Sequence, residues 1–157
     1  MVEQVDRMKQ QEKKGIRHAG ISTQQLQWLY LHALAGNSRL TDNHVKAAAD
    51  YLVTLLKREP KRLAILDKAL AAVVFEARGD RQTALDCVES LKQYTVCQKE
   101  MGRYYDTPRA AYSWCSYRIP TQVAAIEAIA RVTPNDTLTI AEKTKFVPPA
   151  SNVITTR

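Results

Sequence analysis

The sequence predicts an all-α protein of antiparallel helical hairpins in a curved array, with no sheet larger than an incidental pair. Three observations predict it. Apolar residues recur at helical spacing from Ser22 to about Val132. Capping residues and helix breakers punctuate that run. The connections are short, so consecutive helices pack on one another. A length of 157 residues suits one domain with a sizeable core. Hydrophobic residues at 45% and charged residues at 25% are the composition of an ordinary globular protein, and only five Gly and six Pro exclude collagen-like or Pro/Gly-rich disorder. The chain divides into a weakly structured helix and linker over 1–21, a helical-hairpin domain over 22–143, and an extended or disordered tail over 144–157.

Each element has its own signal. Val2, Val5 and Met8 form a short apolar line near the start, too short for firm docking. Ser22 and Gln25 have the spacing of a capping box. Behind them Leu26, Leu29, Tyr30, Ala33 and Leu34 share one face, while Trp28, Leu31 and Ala35 add a second stripe, which predicts burial on two sides. Gly36 is placed to end that helix, and Thr41-Asp42 to cap the next, with Val45, Ala48, Ala49, Leu52, Leu55 and Leu56 inward. Pro60 breaks it and suits the first turn of a third helix, which carries Leu63, Leu66, Leu70, Val73, Val74 and Ala77 and stops at Gly79. Asp80 caps a fourth, with Ala84, Leu85, Val88 and Leu91 inward. Pro120 opens the last strong helix, with Val123, Ile126, Ile129 and Ala130 inward and Ala124, Ala125 and Ala128 allowing close approach.

Between the last two helices lie Tyr94, Tyr104, Tyr105, Tyr112, Trp114 and Tyr117, interleaved with Arg103, Arg109 and Arg118. Such a stretch can stack bases or bind sugar, but three arginines among six rings fit better a connecting segment that covers helix ends. Tyr104, Tyr105, Tyr112, Trp114 and Tyr117 are therefore expected to be structural. Trp114 and at least one of Tyr104, Tyr105 and Tyr112 should pack on the helix beginning near Pro120. The tail, with Pro148 and Pro149, has no helical period.

The formal charge of +7 invites a nucleic-acid partner. The distribution argues otherwise, because the densest basic cluster, Lys57-Arg58-Glu59-Pro60-Lys61-Arg62, has an acid and a proline inside it and falls at a helix junction. No run of about 18 apolar residues is present to span a bilayer, and the first residues lack the pattern of a signal peptide.

Catalytic chemistry is sparsely provided. His18, His32 and His44 form no ligand pair, and Cys87, Cys97 and Cys115 show no zinc or dithiol spacing. Phosphate-binding and nucleophile-elbow motifs are lacking. No catalytic, cofactor-binding or metal residue is assigned, no cofactor is expected, and the reading is of a non-enzyme.

Two stretches resemble known families. Phe75-Glu76-Ala77-Arg78-Gly79-Asp80-Arg81-Gln82-Thr83-Ala84-Leu85 resembles the junction of a tetratricopeptide repeat, although no regular copy about 34 residues away accompanies it. The segments Glu100-Met101-Gly102-Arg103-Tyr104-Tyr105-Asp106-Thr107-Pro108, Ala111-Tyr112-Ser113-Trp114 and Tyr117-Arg118-Ile119-Pro120-Thr121-Gln122-Val123-Ala124-Ala125-Ile126-Glu127-Ala128-Ile129 are similar to the helical domain of bacterial alpha-2-macroglobulin-like proteins of the Bacteroides type. That resemblance implies an α/α toroid, here partial and solenoid-like, of the thioester-domain type. It also implies a setting of protease trapping at the periplasm or cell envelope.

The family's thioester requires Cys-x-x-Gln, and here the third residues after Cys87, Cys97 and Cys115 are Ser90, Glu100 and Arg118. The expectation is a non-catalytic fragment of such a protein, with a tetratricopeptide-like interaction module as the alternative. Its partners are proteins: a protease, other domains of a longer parent chain, or a second copy at an open helical edge. Neither nucleic acid nor membrane insertion is expected.

Overall fold

In a computed structural model, described over residues 1–35, 42–58, 63–98, 102–105 and 118–135, the protein is all-helical apart from one pair of short strands. The helices are α1 (Val2–Lys13), α2 (Thr23–Leu34), α3 (Asn43–Arg58), α4 (Ile65–Ala77), α5 (Arg81–Gln93) and α6 (Arg118–Val132). Strands β1 (Thr95–Gln98) and β2 (Gly102–Tyr105) pair antiparallel, with Thr95 opposite Tyr105.

The core is built around α4. Its sequence Ala69-Leu70-Ala71-Ala72-Val73-Val74-Phe75 is apolar on every side, and every residue from Lys68 to Phe75 is buried. A helix of that kind needs neighbours all round, and α2, α5 and α6 all pack on it. The chain enters α5 through a tight turn. Gly79, at φ +79°, ends α4, with its N–H bonded to the Glu76 carbonyl and the Asp80 N–H bonded to the Phe75 carbonyl. This is a Schellman closure, and glycine adopts its left-handed conformation at no steric cost. Asp80 then caps α5 by accepting from the Thr83 N–H at 3.3 Å and the Thr83 hydroxyl at 2.9 Å. At α2 the capping box forms in both directions, between Ser22 and Gln25.

Several expectations are corrected. Helix α4 begins at Ile65, behind Ala64, so Pro60 is not in its first turn and Leu63 precedes it. Ala77 is exposed. Helix α2 is not buried on two sides, since Leu26 and Leu29 are buried whereas Leu31 is 62% exposed and Leu34 is also exposed. On α6 the inward line is Thr121, Ala125, Ala128, Ile129 and Val132, and Val123 is 51% exposed. The physical reason is size. Both α4 (Ala69, Ala71, Ala72) and α6 (Ala125, Ala128) carry fully buried alanines, whose small side chains suit the close packing of the two helices. Val123 stands two residues, about 200°, from Ala125 and so turns outward.

Helix α1 also docks despite its short apolar line. It lies against α3 with Val5 fully buried. The Arg58 guanidinium reinforces this contact by donating to Glu12 at 2.6 Å and to the His18 carbonyl at 3.0 Å. That guanidinium holds the Glu12 carboxyl below its ordinary value of 4.5, and the Lys57 ammonium, helped by Thr83, holds Asp80 below 3.8. A carboxyl lowered in the folded state stabilises the fold fully above its unfolded pKa, and the contribution is lost as pH falls through the folded one. Thermal melts from pH 7 down to about 2.5 should therefore show a falling Tm below the ordinary carboxylate range, with a shallower fall in Glu12→Gln. An equally steep fall in the variant would remove Glu12 from the explanation.

The predicted helix ends at Gly36 and Thr41, the tail over 144–157, and the side chains of Tyr112, Trp114, Cys115 and Tyr117 lie outside the described residues.

Candidate functional site

Two clefts among the described residues, both beside the central helix α4, carry mixed polar and apolar walls. The first, of about 570 Å3, runs between α2, α4 and α6 and is walled by Leu31, Leu66, Leu70, Pro120 and Val123. Leu31 and Val123, the large side chains that α2 and α6 leave exposed, form its two sides, and Leu66 and the buried Leu70 form its base. One end is polar. There the Tyr30 hydroxyl donates to Glu127 at 2.5 Å, and Arg131 donates to the same carboxylate at 2.9 Å. Burial first, and then the hydrogen bond to Glu127, push the Tyr30 hydroxyl up to about 12, so it stays a protonated donor at neutral pH. Glu127 is thus already engaged by two donors, and apart from Gln27 the rest of the wall is apolar.

The second cleft, of about 460 Å3, opens between α4 and α5 beside Lys68, Cys87, Ser90 and Tyr94. Lys68 is only 4% exposed. Its ammonium donates to the Ser90 hydroxyl at 2.9 Å and lies 4.5 Å from the centre of the Tyr94 ring, a cation–π distance. Cys87 sits at the same wall as a buried thiol, pushed up to about 11 mainly by burial, and it is therefore a protonated, weakly nucleophilic group at neutral pH.

Of the aromatic residues singled out in the sequence, Tyr105 is placed most fully. It is buried, and its backbone is held from α6 by Gln122. The Gln122 side-chain oxygen accepts from the Tyr105 N–H at 3.2 Å, and its amide donates to the Tyr105 carbonyl at 2.8 Å. Tyr104 lies in β2, opposite Val96. The backbone of Tyr105 is thus joined to the helix near Pro120 through Gln122, while Trp114, the other half of that expectation, lies outside the described residues.

Sequence reasoning missed both clefts. A signal for Lys68 was present: it falls four and seven residues before Ala72 and Phe75, on a stripe of a helix that is apolar all round. Among the described residues no group of three or more His, Cys, Asp or Glu converges as a metal site, and no helix is long and apolar enough to cross a membrane. Comparison with protein-family models, curated proteins and solved structures returns no match.

Proposed function

We propose that the chain is a non-catalytic protein-contact unit, a set of helical hairpins from a partial α/α toroid of the alpha-2-macroglobulin-like type, whose α2–α4–α6 groove seats an amphipathic helix of a protein partner. The open groove carries this reading. Leu31 and Val123 expose apolar surface on its two sides, and Leu66 and Leu70 line it from α4. An apolar channel between two helices fits a third helix presenting anchors at i, i+3, i+4 and i+7. The net charge of +7 favours a partner with acidic flanks and disfavours a second copy of the same charge. The short α4–α5 turn and the buried central helix suit a toroid, in which each layer covers the next. A contact role of this kind is shared with the tetratricopeptide-like alternative and needs no thioester.

Two 16-residue helical peptides with leucines at those positions, one flanked by glutamates and one by lysines, test the proposal by fluorescence anisotropy. The acidic peptide is expected to bind at least about tenfold more tightly, and Leu31→Asp is expected to abolish binding without changing the circular dichroism spectrum. Equal binding of the two peptides, or binding unaffected by Leu31→Asp, would refute it. So would a dimer in sedimentation that Leu31→Asp dissociates, since the occupant would then be a second copy.

A further inference from the structure

The cleft between α4 and α5 shares no lining residue with the groove. Its floor is the buried ammonium of Lys68. Among the described residues no carboxylate lies within ion-pair distance of Lys68, and the contacts of its ammonium are a hydroxyl and an aromatic face. An ammonium has three N–H donors and no acceptor. Ser90 takes one of them, and because the Ser90 oxygen is accepting, its own O–H remains available to donate. Burying a charge without an opposite partner is costly. Together these groups present two donors, one of them charged, to the cleft beside them.

The rest of the lining narrows the ligand. Asp86 and Glu89 also line the cleft, and both are exposed, which puts negative charge toward its opening. A polyanion such as a phosphate ester is repelled there before it reaches the floor. A ligand carrying a carboxylate at one end and a cation at the other satisfies both poles. The volume of about 460 Å3 is at the lower end of the range for small-molecule sites and suits an amino acid or the last residue or two of a peptide.

We propose that this cleft binds a small dipolar ligand, its carboxylate held by Lys68 and Ser90 and its cationic group facing Asp86 and Glu89. A free basic amino acid and a peptide ending in a basic residue share that chemistry.

Calorimetric titration of the full chain with arginine, N-acetylarginine, agmatine and pentanoate tests it. Arginine is expected to bind, while agmatine, which lacks the carboxylate, and pentanoate, which lacks the cation, bind at least about tenfold more weakly. N-acetylarginine binding as well as arginine supports the site with a peptide C-terminus as the source. Its failure beside arginine binding supports the site with a free amino acid as the source. Lys68→Met is expected to remove arginine binding. Asp86→Asn with Glu89→Gln, at exposed positions that leave the core untouched, is expected to weaken arginine while sparing pentanoate. No arginine binding in the millimolar range overturns the proposal, as does agmatine matching arginine. So does arginine binding unaffected by the Asp86 and Glu89 changes, or by Lys68→Met in a folded protein.

Discussion

Phe75→Ala is expected to destabilise the protein by about 3–5 kcal/mol, read from the midpoint of urea unfolding. Phe75 heads the largest side chains of the core that are fully buried. It sits in the last turn of α4, and Lys57 of α3 places its ammonium 5.8 Å from the ring centre. Its backbone carbonyl also receives the Asp80 N–H that closes the turn into α5. Truncation leaves a cavity where α3 and the α4–α5 turn meet, and the hydrogen-bonded turn on its rim restricts collapse. The loss is a large part of the roughly 5–15 kcal/mol that holds a domain of this kind together. Phe75→Leu, which keeps most of the volume, should cost much less. Equal losses for the two variants would show that the cavity does not set the cost.

Ala128→Leu is the second large effect, expected at about 1–3 kcal/mol of destabilisation. Leucine is nearly as good a helix former as alanine, so the loss measures crowding. Ala128 is fully buried on the helix that packs closely on α4. The control is Val123→Leu on the same helix, which adds a methylene at a half-exposed position and should stay within about 0.5 kcal/mol. Denaturation of the two variants side by side checks the phase of α6. A neutral Ala128→Leu beside a costly Val123→Leu would reverse the face assigned inward.

That phase marks where the sequence stopped being readable. Helix existence and the caps at Ser22 and Asp80 are local chemistry, carried by a residue and its partner three positions on, and they are found where expected. The inward face of α3 is equally legible, because its large leucines lie on one side only. On α2 and α6 the apolar residues spread over more than one face, and periodicity ranks them by size. What decides the phase is the distance between helix axes, set by alanines that carry almost no hydropathic signal. The groove is the residue of that decision. Its exposed sides, Leu31 and Val123, are large side chains left outside where small ones face in, so it could not be read before α4 was known to be the centre. Lys68 was concealed differently, since a lysine is ordinarily placed on a solvated face. Tyr105 was marked by its neighbours in sequence, but its anchor, Gln122, lies seventeen residues away in an adjoining element.

The anchoring of Tyr105 by Gln122 has a consequence for association between chains. A two-stranded ribbon has free outer edges, and an unpaired N–H and C=O on such an edge form a template on which another chain can lay a strand. At Tyr105 the helix side chain occupies that place: the amide of Gln122 reproduces both hydrogen bonds that an incoming peptide unit would make. A foreign strand can pair there only by displacing a side chain already tethered to α6. At the end of β2 the ribbon therefore carries its own guard against edge-to-edge aggregation.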